Sequence, residues 1–465
     1  MNKIINRKIS KSQLRRRIKK LSFIVTFILL VINVPLVFKS SYRISKKELY
    51  KLDTSDTTIE FGETVTGSID DVGKSVNYTF SASSGDIVLI RMRRITANSF
   101  FPEIKLYSPF GIELSTDFDN TIAEITYLLP QNGVYLIVAS EHYDFSVGNY
   151  NIYIQRVNNP ENATAMAFGT NYYGSISLLG AADTYTFIAN VGDMILVRMG
   201  KISGTYFESD LRLYSPTGTE LISGSNEISY ALPQNGKYTL LAHDSEGDSG
   251  SYNLIAQKVN NPNNSILVEL GKTISAGISF PGGVNSFTFS ALAGDTVLIR
   301  IREISGTNFY PKIRLFSPSG TELSNDWDAD FAEITYYLPN NGKYTILATD
   351  YYGIGSGSYG IYVQLVNRPE NATSLNFGEN YFGSIESLGG ADTYTFIANS
   401  GDVILIRMNR VSGAPFGSDF KIYSPSGTEL VSGSIEASYT LPQNGKYTII
   451  AHDIYGNIGT YYIYC

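Results

Sequence analysis

Two dipeptides in this sequence could form half of a catalytic triad. His243-Asp244 and His452-Asp453 each place an imidazole beside a carboxylate, and the pairs stand 209 residues apart. A triad also needs a nucleophile within bonding reach of its base. The chain has no Gly-x-Ser-x-Gly elbow, and its one cysteine is the last residue, Cys465. The aligned residues elsewhere in the chain are Ser140 and Thr349. The expectation is a strand-end side chain facing a loop, and no enzyme activity.

Acidic strings suggest a second chemistry. Asp326, Asp328 and Asp330 alternate in one stretch, and Asp117 and Asp119 alternate in another. Carboxylates spaced by two on a loop can wrap calcium. The glycine and distal glutamate of an EF-hand are missing. These five aspartates are the calcium candidates, as a weak extracellular-type site that stiffens a loop. The plainer reading is a solvated turn. No other cofactor is required. Asp244, Glu246 and Asp248 form a further acidic loop.

Four arginines, Arg91, Arg198, Arg300 and Arg407, follow the same Gly-Asp landmark at the same distance. Recurrence in every copy indicates a shared structural role, in which the head pairs with a carboxylate and the stem covers apolar surface. Tyr172, Tyr173, Tyr351, Tyr352, Tyr381, Phe382 and Tyr455 cluster near turns. Exposed aromatic platforms can stack on sugars or anchor protein partners. Packing between modules is the plainer use.

The elements that position these residues are repeated. Gly85-Asp86, Gly192-Asp193, Gly294-Asp295 and Gly401-Asp402 are spaced by 107, 102 and 107 residues, and each opens a β-branched apolar run. Each run is followed by Ser-Pro-x-Gly, as in Ser215-Pro216-Thr217-Gly218, and later by a Leu-Pro-x-Asn-Gly turn. Asn171–Asn190 matches Asn380–Asn399 at 16 of 20 positions, so the chain reads as a duplicated two-module unit. In the second copy Ile195, Val197 and Met199 share one strand face; Met194, Leu196 and Arg198 share the other. Short strands with regular turn signals mean an all-β chain of four tandem jelly-roll-like β-sandwich modules. The modules span 57–157, 163–259, 265–367 and 372–465. The joints carry Pro160, Pro262 and Pro369 and should be stiff.

One N-terminal transmembrane helix is expected ahead of the modules. Residues 1–20 form a basic cytoplasmic tail, and Leu21–Phe38 runs 18 residues without a charge. A positive flank keeps the N-terminus inside and exports the rest. The segment reads as an uncleaved signal anchor, with a cleaved signal peptide as the alternative. Residues 39–56 read as a linker. Residues 1–51 hold 14 of the 36 basic residues and one of the 43 acidic ones, which leaves the remainder at a net charge of −20. An acidic body disfavours nucleic acid. The lone Cys465 excludes an intrachain disulfide. On an exported surface the sequons at Asn77, Asn162, Asn263 and Asn371 become glycosylation candidates.

The repeat resembles the bacterial and archaeal pre-peptidase C-terminal domain. The residues that carry the likeness are Asp183-Thr184-Tyr185-Thr186-Phe187, Gly192-Asp193 with its strand, Leu213-Tyr214-Ser215-Pro216, Leu232-Pro233 and Gly250-Ser251-Tyr252. The resemblance covers nearly all of residues 57–465 and implies a jelly-roll-like sandwich. In that family the domain typically trails a secreted peptidase, and some members bind collagen or calcium. This chain has no peptidase domain. The signature aspartate stands at Asp183 and Asp392 but is Val76 and Asn285 in the other modules. The functional expectation is a non-catalytic, membrane-anchored extracellular repeat protein for adhesion, envelope structure or partner binding. The alternative is an accessory that captures peptide or polysaccharide for a separate hydrolase.

Overall fold

A computed structural model describes residues 56–96 and 99–465. They fold into four β-sandwiches, with no helix among the described residues. The segment Leu21–Phe38, the basic tail and nearly all of the linker lie outside them. Among the described residues no helix is long and apolar enough to cross a membrane.

The first module sets the pattern. Its strands are β1 Thr57–Thr58, β2 Thr64–Ile69, β3 Ser75–Ala82, β4 Ile87–Arg94, β5 Pro102–Tyr107, β6 Glu113–Phe118, β7 Ile122–Leu128, β8 Gly133–Glu141 and β9 Gly148–Arg156. One sheet has the order β1-β3-β8-β5-β6, and the other β2-β9-β4-β7. All neighbours run antiparallel except β1 with β3. The same two orders recur in each of the other modules.

Alternation decides which side chains meet between the sheets. In the second module Ile195, Val197 and Met199 enter the module's own core with Tyr185, Phe187, Tyr238 and Leu240. Each of the four modules has such a core. The other face of the Gly-Asp strand is apolar too, and it packs against the next module. Leu89, Tyr153 and Val157 of module one meet Tyr214 and Leu241 of module two. Leu196 and Val259 meet Phe316 and Leu347. Leu298, Tyr362 and Val366 meet Tyr423 and Ile450.

The asparagines of the joints are tied down by hydrogen bonds. Asn158 accepts from Ile87 N at 3.0 Å and donates to Gly85 O at 2.9 Å, which pins the joint to the Gly-Asp turn. Asn260 does the same with Met194 N and Gly192 O. The Ser-Pro-x-Gly hairpin of the next module closes over this clamp. A Cβ on Gly218 would stand 2.7 Å from Asn158 Cβ, and its φ is +85°, so that position suits glycine twice over.

The signature tyrosines form a buried pair in modules one, two and four, and Phe287 takes the place of one of them in module three. Tyr252 Oη donates to Asp183 at 2.5 Å and meets Tyr185 Oη at 2.9 Å. Tyr461, Asp392 and Tyr394 repeat this. In module three Asn285 donates to Tyr359 Oη at 2.9 Å. In module one Tyr78 and Tyr150 pair at 3.0 Å with Val76 alongside in the sequence. The aspartate of the signature therefore supports a core tyrosine, and an amide can replace it.

Candidate functional site

The acidic strings lie where the chain crosses from one sheet to the other, from β6 to β7 in module one and at the equivalent place in module three, and the geometry spends their carboxylates on local bonds. Asp117 accepts from Glu124 N at 2.9 Å, and Asp326 accepts from Glu333 N at 2.8 Å. Asp117 and Asp326 sit within strands, so alternation turns them from their neighbours. Asp119 accepts from Thr121 N at 3.2 Å. Asp328 accepts from Ala329 N, and Asp330 pairs with Arg302 at 3.0 Å. Among the described residues no three His, Cys, Asp or Glu side chains converge as metal ligands.

The His-Asp pairs are closed off between modules. His243 is fully buried, and His452 nearly so. Each Nδ1 lies beside the carbonyl of the following aspartate, at 2.8 and 2.9 Å. Each Nε2 faces an aspartate, Asp210 at 3.5 Å and Asp419 at 3.6 Å. Burial, then Arg91 and Arg212, holds His243 well below the usual imidazole range. Burial and Arg300 do the same to His452. The carboxylates of Asp244 and Asp453 organise loops. Asp244 accepts from Glu246 N at 2.7 Å and Asp248 N at 2.8 Å. Asp453 accepts from Tyr455 N and Asn457 N. An acid does this in all four modules, as Glu141 and Asp350 in the odd ones.

The four arginines explain the joints. Arg91 is fully buried. It donates to Ala181 O at 3.3 Å and Asp244 O at 3.2 Å, both in the next module. Arg198 reaches Gly283 O and Asp350 O at 3.3 and 2.9 Å. Arg300 reaches Gly390 O and Asp453 O at 3.1 and 2.9 Å. Each pairs through Nε with a glutamate on the adjacent strand of its own module: Glu124 at 3.3 Å, Glu227 at 3.1 Å and Glu333 at 3.0 Å. That glutamate also takes a cation from the next module. Arg212 binds Glu124 at 2.6 and 2.9 Å, and Arg314 binds Glu227 at 2.8 Å. Lys421 binds Glu333. So the carboxylate and the apolar stem were legible in sequence, but the partner across the joint was not. Arg407 of module four is different: its side chain is 49% exposed and pairs with Glu436.

The aromatic clusters separate by module type. Trp327 stacks on Tyr351 at 3.6 Å, with Tyr352 and Tyr310 edge-on around them. Phe118 stacks on His142 at 3.4 Å, with Tyr143 beside both. These sets occupy equivalent positions in modules three and one, and Trp327, Tyr352, Phe118, Tyr143 and Phe145 are exposed. Sequence reading found Tyr351 and Tyr352 but missed their partners. The 209-residue spacing of Phe118 and Trp327 was the available signal. Tyr172 and Tyr381 instead brace their own turns by accepting from Ala167 N and Asn376 N. Tyr173, Phe382 and Tyr455 are exposed.

Asn162 and Asn371 donate to Phe61 O at 3.0 Å and Leu270 O at 2.8 Å, and both have positive φ. The equivalent residue of the middle joint is Asn264, not the sequon residue Asn263. The three joint sequons therefore do not occupy one structural place. Asn77 donates to Asp56 at 3.1 Å.

No family model matches the sequence, and a search of curated proteins finds no match. Among solved structures the chain is similar to the pre-peptidase C-terminal domain of collagenase from Bacillus anthracis. Identity there is 24% over 21% of this chain and 96% of that one, with a TM-score of 0.19. It is also similar to tripeptidyl peptidase 2, at 8% identity over 66% of this chain and 32% of that one, TM-score 0.17. A triple jelly roll protein of an archaeal virus is similar at 13% identity, over 63% and 83% of the two chains, TM-score 0.16.

Proposed function

We propose that this chain is a non-catalytic surface protein in which four sandwiches act as one coupled array. Its work is adhesion, envelope structure or partner binding. One observation carries the reading: the most regularly repeated charged side chains, Arg91, Arg198 and Arg300, are buried in holding one module to the next. The motifs around Asp183, Gly192 and Ser215 support reading each module as a jelly-roll-like domain of the pre-peptidase C-terminal type. The proposed placement is a single-pass anchor at Leu21–Phe38, with the N-terminus cytoplasmic and the acidic body extracellular. The charge division within the sequence supports it.

Proteolysis of intact cells, followed by N-terminal sequencing of the released fragment, tests this. A fragment beginning within residues 39–56 is expected. A body protected until the cells are lysed would overturn the placement.

A second reading is favoured by the aromatic clusters at Trp327 and Phe118. It is an accessory that captures polysaccharide or peptide for a separate hydrolase, with stacked rings offering exposed faces at two matched sites. Retention of the protein on an insoluble polysaccharide, lost in Trp327→Ala with Phe118→Ala, would select it.

A further inference from the structure

Module four carries the docking face that modules one to three use, and no following module covers it among the described residues. Leu405 stands where Leu89, Leu196 and Leu298 stand, yet it is 36% exposed against at most 1% for the other three. Arg407 opposes Glu436 across adjacent strands, as Arg300 opposes Glu333. In the three joints the glutamate holds its own arginine and a cation of the next sandwich. Glu436 holds Arg407 through Nε at 2.6 Å and meets no cation of a following sandwich among the described residues.

We infer that this face binds a second copy of the chain, through the outer sheet of that copy's first module. That sheet is built like the three that fill the joints. Lys105 pairs with Val138 as Arg212 pairs with Leu241 and Lys421 with Ile450. Tyr107 stands at the position of Tyr214, Phe316 and Tyr423, and Glu141 at that of Asp244, whose carbonyl takes Arg91. On this sheet Lys74 and Ser75 are exposed, Tyr107 and Lys105 are partly exposed, Lys105 pairs with Glu103 of its own module at 3.0 Å, and the outward-facing Leu136 and Val138 are buried. No module precedes this sheet among the described residues. Glu436 of one copy takes Lys105 of the next, and Arg407 donates to carbonyls at its sheet end. The contact joins two different surfaces, so it extends a head-to-tail filament or closes a ring. It deepens the reading of the chain as a partner-binding protein.

Sedimentation velocity of the full chain in mild detergent tests it. Association should rise with concentration between about 1 and 200 μM. Glu436→Lys and Lys105→Glu should each weaken it by about tenfold or more, because each sets like charges face to face. Mixing the two variants should restore association, since every contact between one variant and the other then pairs opposite charges. Lys105→Gln, which adds no repulsion toward Glu103, should weaken association without lowering Tm. A monomer at every concentration overturns the proposal. So does association that Glu436→Lys breaks and Lys105→Glu spares, which would mean a different occupant. A mixture that stays monomeric overturns it as well. Any of these leaves the reading of the chain as a surface protein standing, since that reading is judged by the topology experiment.

Discussion

Arg91 and Glu124 face each other on neighbouring strands of module one, and Arg212 of module two completes the group from across the joint. One carboxylate thus serves two cations from different modules. Arg91 also satisfies two carbonyls of module two, so it bonds on both sides of the joint. A buried charge with that many partners is costly to strand.

Arg198→Ala should therefore weaken the contact between modules two and three by about 3–5 kcal/mol. Arg198→Lys should recover only part, because one ammonium cannot span two carbonyls and a carboxylate in the guanidinium's planar arrangement. Arg407→Ala should change stability by no more than about 1 kcal/mol, since its pair is exposed. Hydrogen exchange at Leu196 and Val259 reads the difference. Equal protection in Arg198→Ala and the parent would contradict this account of the joint.

Acid should loosen two of the three joints. His243 faces Arg91, Arg212, Asp210 and Glu124; His452 faces Arg300, Lys421 and Asp419. Both imidazoles are held neutral in the fold, while an unfolded one takes a proton near about pH 6.5. Below that value the unfolded state binds more protons, so stability falls as pH falls. Asp419 acts in the opposite sense. Burial pushes its carboxyl up to about 6, so between 3.8 and that value the folded state binds the extra proton. The corresponding residue of the middle joint is Thr349. His243→Thr with His452→Thr should flatten the decline of Tm below about pH 6.5. An unchanged slope would place the acid sensitivity elsewhere.

The signature aspartate should tolerate an amide. Asp183→Asn reproduces the Asn285–Tyr359 contact and should cost less than about 1 kcal/mol. Gly174→Ala should be far worse, because a Cβ there would lie 2.2 Å from Tyr252 Cζ. Thermal melts of the two variants should separate by several degrees, with Gly174→Ala the lower. The reverse order would mean that the tyrosine pair does not govern this core.

Calcium should leave Tm unchanged in the parent protein. Asp326 and Asp117 already accept backbone amides, and Asp330 holds Arg302. Asp326→Ala should lower stability by about 1 kcal/mol through loss of the Glu333 amide's acceptor, and so lower Tm equally with or without the ion. A calcium-dependent rise that disappears in Asp326→Ala with Asp328→Ala would restore the metal reading.

The sandwiches were legible because strand alternation is local. Ile195 and Val197 pointed inward, and Leu196 and Arg198 outward, just as period two requires. The joint was only half legible. The sequence marked Arg198 as recurrent, but nothing near it in the chain names Asp350 O, 152 residues away. The Asp-x-Asp pattern is ambiguous because spacing by two suits a metal loop and an ordinary strand alike. Sequons misled by one residue: only the backbone at Asn264, with φ of 55°, shows which asparagine fills the turn. The aromatic stacks join the ends of β6 and β8 across the intervening β5, and Phe118 and His142 are not neighbours in sequence.

The short joints have a mechanical consequence. Asn158 to Asn162 is all the slack between the first two sandwiches, and at about 3.4 Å per residue it extends roughly 17 Å. Pulled from its ends, the array would yield first where Arg91 grips the carbonyls of its neighbour. It would gain only that small length before tension reached the strands themselves. Stretching would thus give short early steps, one per joint, ahead of the long ones from unravelling sandwiches.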